Sequence, residues 1–175
     1  GKVFRIAFSG SIIYDRLDLL KQLVRIIGNN PAYQLLLFSP HDETFLKSNN
    51  LFANNVSCEF VNNPKLLVEK LQQCDLLYLP LTFKKPDDQR SYLQLKTCLG
   101  TKSYEYMQTG VPILVHSPRE YYTYQFFEFT NSAILLNSDR KEDLENKLNE
   151  IKVNYVELSD IVQNAYNLLA QHQSK

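Results

Sequence analysis

Short apolar runs alternate with helical stripes along almost the whole chain, and that alternation leaves few folds open. Residues 3–8, 34–38, 56–61, 75–81, 111–115 and 133–136 each read as a strand. Between the first two runs, Leu19, Leu20, Leu23, Val24 and Ile27 recur at helical spacing, with Asp15 as the expected cap and Gly28 as the stop. A weaker helix is expected over 42–50. Asn63-Pro64 opens another, with Leu66, Leu67 and Leu71 as its apolar stripe. Asp139 with Glu142 resembles a capping box ahead of Leu144, Leu148 and Ile151, and a last helix is expected over 159–171. Strands separated by helices predict a parallel sheet with helices on both faces. We expect a single Rossmann-like α/β domain over residues 1–175, six-stranded, with strand order 3-2-1-4-5-6.

The most informative stretch is 100–115. Gly100 permits a tight turn, and Thr101 is the expected N-cap of a two-turn helix over 102–109. Gly110 ends that helix, and the strand that follows reads as buried on both faces. A helix N-terminus suits an anion such as a phosphate, and Lys102 adds a full positive charge there. Glu105 lies three residues on, on the same face, where a carboxylate can accept bonds from sugar hydroxyls. The same spacing is met by an ordinary surface ion pair.

Lys102-Ser-Tyr-Glu-Tyr-Met-Gln-Thr-Gly-Val-Pro-Ile-Leu-Val resembles the K-x-x-E-Y-[ML]-x-x-G-x-P-[VI] segment of group 1 (family 4) glycosyltransferases. The resemblance implies one half of a GT-B fold, the C-terminal domain that binds the nucleotide-sugar donor. It implies that Glu105 binds the ribose hydroxyls, and that Thr101, Lys102 and the helix N-terminus bind the diphosphate, with Gly100 and Ser103 beside them. Phe8-Ser-Gly-Ser-Ile resembles the family's glycine turn at the diphosphate, which adds Gly10 and Ser11. A tight connection without a ligand is the other reading of that turn. Arg16 is the cation nearest to it, and Ser39 stands in the region that holds the base. Thr97 occupies the position where many members carry a second acid, and Gly100-Thr101 stands where members with the lysine often have a proline.

The resemblance further implies transfer of a sugar from a nucleotide diphosphate to an acceptor hydroxyl, in polysaccharide or glycolipid synthesis. No metal or other cofactor is expected. The partners expected are the donor and an N-terminal acceptor-binding domain, so the isolated chain should turn over little. A non-catalytic Rossmann-like interaction or regulatory module is the alternative, supported by Thr97. The chain starts at Gly1 and enters a strand almost at once, which reads as a fragment of a longer protein.

Composition narrows the field in other ways. With 19 basic and 19 acidic residues the formal charge is zero, unlike a general nucleic-acid binder. Cys58, Cys74 and Cys98 are too scattered for a metal or redox pair and suit a reducing compartment, with Cys58 and Cys74 expected to be buried. His41, His116 and His172 show no metal-ligand spacing. No run is long enough to span a membrane, and a cytoplasmic location, at the inner membrane face if anywhere on a membrane, is expected. Residues 82–99 read as a long irregular stretch, a solvated loop or a flap near the diphosphate. Tyr121, Tyr122, Tyr124, Phe126, Phe127 and Phe129 crowd one segment. Core packing accounts for part of them, and the surplus fits a partner domain or a peripheral membrane contact.

Overall fold

The computed structural model describes residues 1–173. Its centre is a sheet of six parallel strands in the order β3-β2-β1-β4-β5-β6. The strands are β1 (Phe4–Ser9), β2 (Tyr33–Phe38), β3 (Val56–Glu59), β4 (Leu76–Pro80), β5 (Ile113–His116) and β6 (Ile134–Leu136). All five residues of β4 and all four of β5 are buried, as expected of central strands covered on both faces. The helices are α1 (Tyr14–Ile27), α2 (Glu43–Ser48), α3 (Pro64–Leu71), α4 (Gln89–Thr97), α5 (Lys102–Met107), α6 (Tyr122–Thr130), α7 (Lys141–Val153) and α8 (Ser159–Gln173). A short 3-10 turn, Tyr155–Leu158, joins the last two. The expected strand order and all-parallel pairing are present.

The sheet divides the apolar side chains into two cores. Leu20, Leu23 and Ile27 of α1 pack with Leu144, Leu148 and Ile151 of α7 on one side. Tyr106 and Met107 of α5 pack with Phe127 of α6, Leu71 of α3 and Ala165 of α8 on the other. Burying side chains of this size contributes roughly 1.5–3 kcal/mol each. Two helix starts follow the expected chemistry: the Asn63 side chain accepts from Leu66 N–H ahead of Pro64, and Asp42 accepts from Phe45 N–H.

Several expectations are corrected. The stretch 82–99 is not wholly irregular, because α4 occupies half of it, capped by Asp88, whose carboxylate accepts from Arg90 and Ser91 N–H. Asp15 does not cap α1; the N-cap is Ile13, and Asp15 sits inside the first turn. Leu66 is 44% exposed, so only Leu67 and Leu71 face the core from α3. Arg140, not Asp139, is the N-cap of α7, and Ser138 pairs with Asp143. Cys58 is half-buried, its thiol donating to the His41 and Ser39 carbonyls. Among the crowded aromatics, Tyr121, Tyr124 and Phe127 are core, while Phe129 is 92% exposed. His172 belongs to α8, and its side chain lies outside what is described. No helix among the described residues is long and apolar enough to cross a membrane.

Candidate functional site

The site is built where strands end. β1 stops at Ser9, and Gly10 then turns with φ +125°, a backbone conformation that side chains rarely adopt. Gly10 N–H still donates to Phe38 O, so the turn stays tied to β2. A β-carbon on Gly10 would lie 3.2 Å from Lys102 Cε. Glycine is therefore needed for the turn, and it also lets Lys102 lie close without shifting.

Helix α5 leads through Gly110 into β5, so its first residue stands at the carboxyl edge of the sheet. Lys102 Nζ donates to Ser9 Oγ at 3.2 Å and to Glu105 Oε1 at 3.3 Å. Ser9 Oγ in turn donates to Glu105 Oε1 at 3.1 Å. The two charged side chains are 26% and 23% exposed, which separates them from a solvated surface pair. One residue below, the Tyr106 hydroxyl accepts Ser9 N–H at 2.9 Å and donates to Tyr78 O at 3.1 Å. Burial pushes that phenol far above its ordinary range, with the Ser9 N–H bond working against it, so it stays protonated and can make both bonds. Tyr106 thus bolts α5 across β1 and β4, and that bolt fixes where Lys102 and Glu105 point.

A cleft of about 680 Å³ opens at Gly100 and Thr101, the residues just ahead of Lys102, although Ser9, Lys102 and Glu105 do not themselves line it. Asp15 and Arg16 of α1, Ser91 and Gln94 of α4, Gly100, Thr101 and Thr123 line it, along with apolar Ile13 and Leu81. Arg16 Nη1 donates to Ser11 O at 3.3 Å, which holds its guanidinium across the glycine turn. Thr101 makes no capping bond; Gly100 O instead accepts Ser103 N–H at 3.0 Å and closes the first turn of α5.

The structure therefore brings Gly10, Lys102 and Glu105 together, with Arg16, Gly100 and Thr101 along the adjoining cleft. Ser11 is exposed and contributes its carbonyl to Arg16. Ser39 is buried at the end of β2 and Ser103 within α5, and neither hydroxyl has a partner among the described residues. The turn around Ser39 meets the glycine turn through His41, whose Nε2 accepts Ile12 N–H at 3.3 Å while its ring stacks on Phe45. Sequence reasoning missed Ser9, the hydroxyl that joins the lysine to the glutamate. Its signal was its place at the end of a strand, directly before a glycine that must turn. It also missed Thr123, which no motif marks. No group of three or more His, Cys, Asp or Glu side chains among the described residues is arranged to hold a metal ion.

No family model and no curated protein sequence matches the chain. Solved structures do. The C-terminal domain of a group 1 glycosyl transferase, LpcC from Francisella tularensis, superposes with a TM-score of 0.63 at 13% identity, over 96% of this chain and 85% of that one. The catalytic domain of a cholesterol-α-glucosyltransferase from Helicobacter pylori gives 0.63 at 19% identity, over 97% of this chain and 98% of that one. Anabaena HepE, solved in complex with UDP-glucose, gives 0.66 at 16% identity over 97% of this chain. There the chain spans only 44% of its neighbour's length. At these identities what is shared is the fold, a Rossmann-like half of the GT-B type.

Proposed function

We propose that the chain is the nucleotide-sugar-binding domain of a glycosyltransferase. The cluster of Ser9, Lys102 and Glu105 at the carboxyl edge of the sheet carries this reading. In open α/β sheets ligands bind outside the carboxyl ends of the strands. The Lys102 ammonium lies 3.2 Å from Ser9 Oγ and 3.3 and 3.4 Å from the two Glu105 oxygens, and a phosphoryl oxygen would take over a donor from the longest of these contacts. Glu105 keeps acceptor capacity for the ribose hydroxyls after its bonds to Ser9 and Lys102. HepE, a structural neighbour, is solved with UDP-glucose, in keeping with a donor of this class.

In the reaction the bond between the anomeric carbon and the diphosphate oxygen breaks, and negative charge gathers on the departing diphosphate. Lys102 and Arg16 are fixed cations beside that charge, and such preorganised groups are worth more in the transition state than in the ground state. We propose that side chains, rather than a metal, meet this charge. The oxygen of the acceptor's hydroxyl forms the new bond to the anomeric carbon, and its proton passes to the departing diphosphate or to solvent; the acceptor would be held by a second domain, N-terminal to this one in the full protein. The pathway we favour is polysaccharide or glycolipid synthesis, with the protein in the cytoplasm and any membrane contact peripheral.

Calorimetric titration with UDP, GDP and their sugars tests the reading. Wild type should bind at least one of them. Lys102→Ala and Glu105→Ala should each weaken that binding at least tenfold, as expected for the loss of a charge-assisted hydrogen bond worth about 1.5–3 kcal/mol. Wild type that binds no nucleotide would favour the non-catalytic module. Thr97 is the residue the sequence offers for that module, and its hydroxyl donates to Leu93 O at 2.8 Å on its own helix.

A further inference from the structure

Gly100 lines the cleft, yet the fold does not ask for glycine there. The positive-φ glycines are Gly10 and Gly110, and Gly100 is not among them. A β-carbon on Gly100 would stand 3.6 Å from Thr123 Oγ1 and 3.8 Å from Ser103 Oγ, with nothing closer. Those are ordinary contact distances, so alanine fits the protein as it stands. What the missing methyl leaves open is a notch in the cleft wall, and both atoms behind it are hydroxyls.

Neither hydroxyl has its hydrogen bonding completed by the protein. Thr123 is 2% exposed, and its Oγ1 accepts Gly100 N–H at 3.1 Å. That bond uses a lone pair and leaves the hydroxyl proton to give. Ser103 is 0% exposed, and its Oγ has no partner among the described residues. Buried hydroxyls are nearly always paired, and an orphan calls for an explanation. Of the two, Ser103 does not line the cleft, whereas Thr123 and Gly100 do, so the hydroxyl a ligand can complete is that of Thr123, behind a glycine the fold does not need.

We infer that this notch is a subsite for one hydrogen-bond-accepting oxygen of the donor, with Thr123 as a binding residue contributed from outside the Lys102–Glu105 segment. The inference rests on the nucleotide-sugar reading above. The ligand passes over Gly100, where no side chain stands, and its oxygen takes the Thr123 hydroxyl proton. The accepting oxygen belongs either to the diphosphate or to the sugar, and the two sources separate experimentally.

The test compares wild type, Gly100→Ala, Thr123→Val and Thr123→Ser for thermal melting, and for binding of whichever nucleotide and nucleotide sugar wild type takes up. Gly100→Ala is expected to melt with wild type and to bind the nucleotide sugar at least tenfold more weakly. Thr123→Val is expected to lose binding to a similar degree, and Thr123→Ser to restore it, because serine keeps the hydroxyl. If the free nucleoside diphosphate weakens equally, the oxygen is a phosphoryl oxygen; if only the nucleotide sugar weakens, it is a sugar oxygen. A Gly100→Ala protein that binds like wild type overturns the notch, and so does one that fails to fold, since the fold would then account for the glycine. Equal binding by Thr123→Val overturns the role of the hydroxyl. Wild type that binds no nucleotide overturns the transferase reading itself and takes the notch with it.

Discussion

At the scale of single residues, His116 shows how a buried polar group ties stability to pH. It ends β5 and is 0% exposed. Its Nε2 lies 2.6 Å from Ser138 O, a carbonyl that can only accept, so Nε2 carries the proton. Nδ1 is then the acceptor for the Tyr78 hydroxyl at 2.7 Å. Burial pulls its pKa from 6.5 down to about 4, against the Ser138 carbonyl and the nearby Asp139, which favour the cation. Between those two values the unfolded chain takes up a proton that the folded chain refuses. Stability from this group is therefore complete above the ordinary histidine pKa and is lost as pH falls toward 4. The full loss is about 3 kcal/mol. Urea midpoints measured from neutral pH down to the acid limb should fall more steeply for wild type than for His116→Gln. Parallel curves would show that the imidazole titrates alike in both states.

At the scale of elements, two glycines that follow helices are needed for different physical reasons. Gly110 follows α5 with φ +74°, and a β-carbon there meets nothing within 4 Å. Gly28 ends α1 with φ −57°, but a β-carbon there would stand 2.5 Å from Val24 O. Gly110→Ala should therefore cost about 1–2 kcal/mol, the price of a left-handed side-chain residue. Gly110→Asn should cost less, since Asn tolerates that region, as Asn29, Asn50 and Asn131 do here. Gly28→Ala forces backbone to move and should cost more than Gly110→Ala, which chemical denaturation of the three variants would measure. The Gly28 stop was readable, since that glycine closes an apolar stripe; α5 instead ends at Met107, two residues short of the expected 109, with Gln108 as its C-cap and Gly110 in the turn beyond. The strands were readable for a related reason: β4 and β5 are buried throughout, so their sequences are continuous apolar runs. Helix α4 was not, because it buries no residue and so carries no stripe to see. It is held at its rim instead, by Tyr92, whose hydroxyl donates to Glu120 at 2.6 Å and whose ring lies 4.5 Å from Lys85 Nζ. The site was half legible. Lys102 and Glu105 share a local motif, whereas Ser9 reaches them from 96 residues before Glu105, and contacts of that separation exist only once the sheet has formed.

At the scale of the whole molecule, charge is balanced overall and concentrated locally. Equal numbers of basic and acidic residues give no net field to draw a dianionic ligand from a distance. On the proposed nucleotide-sugar reading, attraction for a nucleoside diphosphate would come from contacts at the sheet's carboxyl edge, where Lys102 is only 26% exposed and Arg16 is pinned to Ser11 O. Salt screens charges separated by more than about 10 Å at 0.1 M, and it screens close, partly buried pairs much less. Raising salt from roughly 0.05 to 0.5 M should therefore weaken nucleotide binding by less than about tenfold, and should leave the association rate nearly unchanged. A surface that neutralises many phosphates behaves otherwise, losing about 10³-fold or more over a narrower range. Lys102→Ala should flatten even the small salt dependence that remains, because it removes the cation nearest the glycine turn. Stopped-flow and equilibrium titrations across that range decide the matter. A steep loss of affinity shared by wild type and Lys102→Ala would place the binding charge somewhere other than this edge, on the exposed lysines of the helices.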